Sequence, residues 1–173
     1  SNEDQINLLK INNKVNGRIN LSSDKIYSSY NLVKSLEAHI QFNNGNVLIE
    51  RFLFNLGKLG ASDLLGKISN DKKFTNFKFE SNIFVDNEKK FLSKFGIYNK
   101  KDLSSNFFIS GNFDLENKKA AFYEISDNEI LSNDDINFIE KEFNDYMFED
   151  RFNSLFLFPR FKEFIKAITN EVD

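Results

Sequence analysis

The stretch that decides the fold runs from Val15 to Ser69 and reads VNGRINLSSDKIYSSYNLVKSLEAHIQFNNGNVLIERFLFNLGKLGASDLLGKIS. Apolar and polar residues alternate along much of this stretch, and Gly and Asn-Gly steps interrupt the alternation. Alternation with a period of two is typical of a β-strand that buries one face. The stretch therefore predicts a sheet with one apolar and one polar face, and it contains no grouping of catalytic residues.

A β-hairpin is the clearest unit within this stretch. Asn44-Gly45 supplies the positive-φ residues of a two-residue type I′ turn. The alternating segment 35–42 precedes the turn, and the segment 47–56 returns as its partner strand. The phase of the returning strand breaks near Arg51, which predicts a β-bulge.

More strands follow the hairpin. Glycines at 57, 60 and 66 come close together, and glycine in strand-like sequence often marks bulges or sharp bends, so we expect a curved sheet. The segments 77–85 and 107–115 again alternate, and 119–126 returns from the second of them across a polar turn at 116–118.

Helical periodicity appears in three places. A short helix capped by Asp86 and ended by Gly96 interrupts the strands. Ser132 with Asp135 resembles a capping box at the start of a second helix, and a third begins near Pro159. The residues 98–105 are polar and predict a loop, while an apolar run at 155–158 lies between the last two helices. The apolar faces of the three helices are Phe91, Leu92 and Phe95; Ile136, Ile139, Phe143 and Met147; and Phe161, Phe164, Ile165 and Ile168.

The predicted fold class is mainly β, or β-rich α+β. We expect a curved antiparallel sheet that forms a groove-like or partly closed structure, with one short inserted helix and two C-terminal amphipathic helices. Residues 1–130 would form the β-rich groove module, and residues 131–173 a helical segment packing on or beside the sheet. A chain of 173 residues is long enough for one such domain, and we interpret it as a fragment of a longer protein.

The composition excludes several classes of function. The chain has no Cys, which removes disulfides, thiolate metal sites and a cysteine nucleophile. The formal net charge is −3 and no basic stripe is present, so no nucleic-acid partner is expected. No apolar run is long enough to span a membrane, and no signal peptide is visible.

No catalytic or metal-binding pattern stands out. His39 is the only histidine and falls on the polar side of its strand, which favours a solvated position over catalysis. The acidic pairs Asp134-Asp135 and Glu149-Asp150 lie in or beside predicted helices, where acidic residues are common. No glycine-rich phosphate loop follows a strand. We therefore expect no enzyme activity, no metal and no cofactor.

Phenylalanine is the unusual residue type, with 21 copies against no Trp. AT-rich coding is one explanation of this excess, but the positions still form a ladder at alternating strand residues. These aromatics either pack against the C-terminal helices as core, or line an apolar groove open to acyl chains. The residues predicted to line the apolar face are Leu36, Ala38, Ile40, Phe42, Phe77, Phe79, Phe107, Ile109 and Phe113.

Four segments carry a resemblance to a known family. They are VNGRINL at 15–21 with Asp24-Lys25-Ile26, FNNGNVLI at 42–49, the glycine series 57, 60 and 66 with Lys67-Ile68, and ISGNFDL at 109–115. Their order and spacing, over roughly residues 5–125, resemble the C-terminal region of the AsmA-like proteins, which are related to TamB. The helical tail from about residue 132 is not part of the match.

The resemblance implies a role that the composition does not. Proteins of this family are anchored in the bacterial inner membrane by an N-terminal helix, extend into the periplasm and build a long β groove with an apolar interior. They are thought to pass phospholipid acyl chains toward the outer membrane, and they affect outer-membrane assembly. We thus expect a non-catalytic periplasmic module whose partner is phospholipid. The alternative is a scaffold module that binds other cell-envelope proteins and no lipid.

Overall fold

A computed structural model gives the structure of the chain, and it describes residues 14–27, 32–71, 74–98, 106–127, 129–148 and 157–171. The predicted polar loop after residue 98, the acidic pair at 149–150 and the apolar residues 155–156 lie outside these ranges. The elements in chain order are β1 Gly17–Ser23, β2 Ser35–Asn43, β3 Asn46–Asn55, β4 Gly60–Asp71, β5 Phe74–Val85, α1 Glu88–Lys94, β6 Asn106–Asp114, β7 Lys119–Asp127, β8 Glu129–Ile130, α2 Asn133–Phe148 and α3 Leu157–Glu171.

The strands form one antiparallel meander in which the order across the sheet is the order along the chain. β8 adds only two residues beyond β7. The sheet is curved and does not close, so the predicted fold class is confirmed. The groove-like description fits this open sheet, and a closed barrel does not.

The hairpin around Asn44-Gly45 forms as predicted. Both residues have positive φ, 48° at Asn44 and 83° at Gly45, as a type I′ turn requires. The predicted bulge also forms, because the β3–β4 register shifts between Ile49 and Phe52. An extra residue here switches the side of the sheet on which the following residues lie, and it allows both Ile49 and Phe52 to face the same side.

Helix α1 begins one residue later than predicted. The N-cap is Asn87, whose side-chain oxygen accepts a hydrogen bond from the Lys90 amide at 2.9 Å. Asp86 instead donates its backbone N–H to the Leu59 carbonyl at 3.1 Å, which holds it to the 3₁₀ turn Gly57–Leu59. The predicted end of the helix is confirmed, since Gly96 has a φ of 76°.

The C-terminal helices also begin where the sequence indicates. The Asp135 amide donates to Ser132 Oγ at 3.2 Å, which is the predicted cap of α2. Pro159 lies in the first turn of α3, where the missing proline N–H costs no helical hydrogen bond. Ile136 and Ile139 of α2 are buried, as their predicted helix face requires.

The outer edge of β7 is closed by side chains of α2. Asn144 Oδ1 accepts from the Ala120 amide at 2.7 Å, and its Nδ2 donates to the Ala120 carbonyl at 3.0 Å. Glu140 Oε2 accepts from the Phe122 amide at 3.0 Å. These side chains take the place of a further strand and bind the helix directly to the sheet.

The strand register separates an apolar face from a polar face. The apolar face is the side of the sheet that carries two rows of directly paired residues, one from each of β1 to β7: Ile19, Ile40, Ile49, Gly66, Phe79, Gly111 and Phe122; and Leu21, Ala38, Phe52, Leu64, Ser81, Ile109 and Ile125. A row on the opposite side is Arg18, Gln41, Leu48, Lys67, Lys78, Asn112 and Ala121. The two-faced sheet predicted from the alternation is therefore present.

Candidate apolar groove

The register places all nine predicted groove residues on the apolar face. Leu36, Ala38, Ile40 and Phe42 come from β2, Phe77 and Phe79 from β5, and Phe107, Ile109 and Phe113 from β6. Strand alternation brings them to one side, because each strand contributes every second residue to a given face. The helices then divide this face into two parts with different surroundings.

The covered part of the apolar face consists of β6 and β7 under α2 and α3. Ile125 of β7 is buried with Ile136 and Ile139 of α2 and Phe164 of α3, and Ile109 packs against this cluster. The Phe113 ring lies with its centroid 5.0 Å from that of Phe148 in α2. Ile109 and Phe113 are thus core residues of the helix–sheet interface.

The open part of the apolar face consists of β1 to β4. Among the described residues, the main helix contacts are α2 with β7, α2 with α3, and α1 with the 3₁₀ turn, and none of these lies over β1 to β4. Ile40 and Phe42 are half-buried, and at the sheet edge Ile19 and Leu21 are 43% and 52% exposed. Ala38 and Val47 within it are buried, so the exposed apolar side chains lie mainly at the β1 edge. Exposed apolar patches are characteristic of sites for ligands or partners, which makes the open part the candidate site.

Sequence reasoning missed most of the residues that form the open part. The strand pattern at 17–23 contained the signal for β1, but the bulge in β3 hid the fact that residues on either side of it share a face. The additional residues are Ile19, Leu21, Val47, Ile49, Phe52, Phe54, Leu64 and Ile68.

A chain of aromatic rings borders the covered part. The rings of Phe77 and Phe79 in β5 stack at 5.7 Å, and Phe79 meets Phe122 of β7 at 6.4 Å. The chain continues through the helices, with centroid distances of 5.4 Å for Phe122–Phe143, 5.4 Å for Phe143–Phe164 and 5.8 Å for Phe95–Phe161. Tilted and edge-to-face pairs at these distances are favourable arrangements of aromatic rings. The chain joins α1, α2 and α3 to the sheet.

The Phe77 and Phe79 rings occupy the space above two glycines. A Cβ at Gly66 would overlap the Phe77 ring and lie 2.8 Å from the Lys78 carbonyl oxygen. A Cβ at Gly111 would lie 3.1 Å from the Phe79 ring. Glycine at these positions therefore lets both rings lie against the sheet.

The polar face holds the single histidine, as predicted. His39 Nε2 lies 3.0 Å from Glu37 Oε1, and Arg51 lies 3.9 Å from the same carboxylate oxygen. The three side chains are between 38% and 51% exposed, which fits a solvated surface cluster. Among the described residues, no group of three or more His, Cys, Asp or Glu side chains is arranged to hold a metal ion.

A shallow pocket of about 240 Å³ lies at the turn end of β2 and β3. It is lined by Gln41, Asn43, Asn46, Val47, Leu48 and Lys67, which are mostly residues of the polar face and the turn. Of these residues, only Val47 also belongs to the open part of the apolar face.

Comparisons with protein-family models, with curated proteins and with solved structures find no match to this chain. In the part of the chain that the structure describes, no helix is both long enough and apolar enough to cross a membrane. The resemblance to AsmA-like proteins therefore rests on the sequence motifs.

Proposed function

We propose that this chain is a non-catalytic module that binds the acyl chains of phospholipid on the open part of its apolar face. The observation that carries the proposal is the apolar face that continues across β1 to β7, while among the described residues α2 and α3 pack over its β6–β7 end and α1 contacts the 3₁₀ turn between β3 and β4. On the motif resemblance, we further propose that the module belongs to a periplasmic, inner-membrane-anchored protein of the AsmA-like type, acting in phospholipid transport or outer-membrane assembly.

The dimensions of the open part suit an acyl chain. Neighbouring strands lie about 4.8 Å apart, so β1 to β4 span roughly 14 Å. A strand the length of β2 extends for about 30 Å, since each residue adds about 3.4 Å. One leaflet contributes about half of the roughly 30 Å hydrocarbon thickness of a bilayer. An acyl chain is therefore about half as long as the strands and can lie along them over its whole length.

Binding would be driven by the removal of hydrocarbon from water. Each buried CH₂ group contributes about 0.8 kcal/mol, so a chain in contact along half its length gains several kcal/mol. The rim of the open part is polar: Lys34 and Lys58 lie near one end of β2 and β3, and the Asn44-Gly45 turn lies at the other. Headgroups would stay at this rim, in water, while the acyl chain lies on the strands.

A charge placed in the open part tests this proposal. Ile40→Glu puts a carboxylate in the middle of β2 on the apolar face, next to Ile19 and Ile49. We expect the amount of phospholipid that co-purifies, or that loads from vesicles of phosphatidylethanolamine and phosphatidylglycerol, to fall by at least about tenfold, the equivalent of about 1.4 kcal/mol. Native mass spectrometry of the 173-residue chain gives the stoichiometry directly.

The matched control is Gln41→Glu, which adds the same charge one residue away on the polar face. It should leave lipid binding unchanged. Leu64→Glu in β4 repeats the test on a second strand of the open part. Circular dichroism checks that each variant is folded. A wild-type chain that stays free of lipid after incubation with vesicles, or a folded Ile40→Glu chain that binds as before, would contradict the proposal.

Ile109 is unsuitable for this test, although it was predicted as a groove residue. It packs beneath α2 and α3, so a charge there would disrupt the core before it reported on lipid. The structure therefore restricts informative substitutions to β1 through β4.

The second candidate function is a protein-interaction module that binds by strand addition. The observation that favours it is the exposed edge strand β1, whose residues Gly17 to Ser22 are all exposed. This candidate needs no lipid, and the clean apo mass that contradicts the first proposal would support it.

A further inference from the structure

The two edges of the sheet differ in their described hydrogen-bond partners. At the β7 edge, β8 pairs with Ser126 and Asp127, and α2 side chains bind the backbone of Ala120 and Phe122. At the other edge, no described strand or helix pairs with the outer side of β1. An exposed strand edge is a template for pairing with another strand.

Strand β1 carries few of the features that protect an edge, since Arg18, which pairs with Glu50, is its single charged residue. Its sequence GRINLSS has no proline and no lysine, and its register with β2 is continuous from Gly17 to Ser23 without a bulge. The apolar side chains Ile19 and Leu21 are the large residues of this strand on the apolar face, and both are exposed. The strand is therefore regular, and no described strand or helix covers its outer edge.

The alternation of hydrogen bonds shows which backbone groups point outward. The pair Asn43–Asn46 closes the two-residue turn, so the backbone groups of Asn43 point toward β3. Alternate residues of an antiparallel strand direct their N–H and C=O groups to opposite neighbours. The backbone N–H and C=O groups of Phe42, Ile40 and every second residue before them in β2 consequently point toward β1. The outward N–H and C=O groups of β1 belong to Arg18, Asn20 and Ser22.

We propose that β1 pairs antiparallel with β1 of a second copy of this chain, with the two-fold axis at Asn20. The strand is nearly self-complementary about this residue. Asn20 would exchange both of its backbone hydrogen bonds with Asn20 of the other copy, and Arg18 would do the same with Ser22. Ile19 would lie opposite Leu21, and no like charges would face each other directly. An interface of this kind is isologous, as two-fold dimers require.

The pairing would join the open parts of the two copies. A two-fold axis perpendicular to the sheet keeps both apolar faces on the same side, so β4 to β1 of one copy continue into β1 to β4 of the other. The helices would then stand at the two far ends of the combined sheet. This inference needs no bound lipid, and its failure would leave the acyl-chain proposal unchanged.

Single cysteines test both the pairing and its register, because the chain has no Cys of its own. In the proposed pair the two Asn20 Cα atoms are about 5.5 Å apart, the spacing of a hydrogen-bonded antiparallel pair. That distance lies within the roughly 4.4–6.8 Å that a disulfide spans. Asn20→Cys should therefore form a covalent dimer under mild oxidation, read by non-reducing electrophoresis and intact mass.

Ser22→Cys is the matched control, since it changes an exposed residue on the same side of the same strand. In the proposed register the two introduced thiols would be about 14 Å apart, about four residues along the strand, and should not cross-link. Mixing Arg18→Cys chains with Ser22→Cys chains should restore a heterodimeric cross-link. Equal cross-linking of Asn20→Cys and Ser22→Cys, or stronger cross-linking of Ser22→Cys, would overturn the register.

Sedimentation of the cysteine-free chain gives the second measurement. The wild-type chain should show a concentration-dependent monomer–dimer equilibrium. Asn20→Pro removes an N–H that points away from β2, so it should abolish the dimer while β1 stays paired. Asn20→Ser keeps the N–H and should still dimerise. A wild-type chain that remains monomeric at all concentrations, or a dimer that persists in Asn20→Pro, would overturn the proposal.

Discussion

Gly111 shows how a single residue sets the shape of the sheet. It is buried in β6, where Phe79 of the neighbouring strand lies over it and the Ala121 carbonyl of β7 lies beside it. The β6–β7 register also shifts between Ser110 and Gly111. A side chain at this position would have to displace backbone as well as the ring, and backbone is the less yielding of the two.

Gly111→Ala should therefore destabilise the fold by about 1–3 kcal/mol, the usual cost of overpacking a core. Its Cβ would lie 2.5 Å from the Ala121 carbonyl oxygen. Urea denaturation followed by circular dichroism measures the change in unfolding free energy. Ser110→Ala, the neighbouring change on the polar face, is the control and should stay within about 0.5 kcal/mol of wild type. Equal stability of the two variants would contradict the described packing of Phe79.

Asp114 gives the fold a defined pH dependence. Its carboxylate accepts hydrogen bonds from the Asn117 amide at 2.9 Å, the Asn117 side chain at 2.7 Å and the Glu116 amide at 3.0 Å, within the turn from β6 to β7. The Asn117 backbone hydrogen bond is the main cause that holds the pKa of Asp114 below its ordinary value. The stabilisation is present above that ordinary value, about 3.9, and is lost as the pH falls through the lower folded pKa.

Asp114→Asn should be less stable than wild type at pH 7, because the neutral amide accepts these hydrogen bonds more weakly. The difference should shrink below about pH 4 and disappear once Asp114 is protonated in the folded wild type. Thermal unfolding of both chains between about pH 2 and pH 7 checks this, provided that each refolds. A constant difference across the range would show that the charge of Asp114 contributes nothing.

Sequence patterns predicted several residue-scale features, and each success has a local cause. The Asn44-Gly45 turn, the Gly96 helix end and the Ser132 cap depend on backbone geometry that only a few residue types accept. The cap of α1 was wrong by one residue because Asp86 and Asn87 are both good capping residues. The choice between them is made by the contact of Asp86 with Leu59, which no local pattern contains.

At the scale of elements, α2 acts both as a cover for the apolar face and as a substitute edge strand. Ile136 and Ile139 point into the core, while Asn144 and Glu140 bind the backbone of β7. The periodicity of the helix predicted the first role. It could not predict the second, because polar residues on a helix flank are read as solvated unless the sheet edge beside them is known.

Asn144→Ala should destabilise the chain by about 1–3 kcal/mol, since it leaves the Ala120 N–H and C=O without their partners. Alanine favours the helix itself, so a loss of stability would be due to the sheet edge. Asp145→Ala, the next residue and an exposed one, is the control and should be neutral or slightly stabilising. Hydrogen exchange at Ala120 should accelerate in the first variant only. Unchanged exchange there would refute the bridging role of Asn144.

Element positions along the chain were predictable, and their arrangement over the apolar face was not. Alternation located β2, β5, β6 and β7, but the bulge in β3 interrupted the phase that assigns residues to a face. Which strands the helices cover depends on distant contacts such as Phe95 with Phe161 and Phe122 with Phe143. Ile109 and Phe113 were for this reason grouped with Ile40 and Phe42, although they serve the helix interface.

At the scale of the whole molecule, the two ends of the sheet differ: described helices pack on the β6–β7 end and none packs on the β1 end. Helices, aromatic rings and bridging side chains complete the β6–β7 end, and the apolar face of β1 to β4 is bare of described helices. This asymmetry is the basis of both proposals: the bare face for acyl chains and the bare edge for a second copy. The substitutions that test them lie in different strands, Ile40 in β2 and Asn20 in β1, so the two can fail independently.

The meander also determines what happens while the chain is being made. Each strand pairs with the one synthesised just before it, so the sheet can grow in step with the ribosome and needs no distant segment to nucleate it. The helices α2 and α3, which shield β6 and β7, follow every described strand in the chain. Until α2 and α3 have been synthesised, the apolar side of β6 and β7 therefore has no helices to pack against and stays open to water.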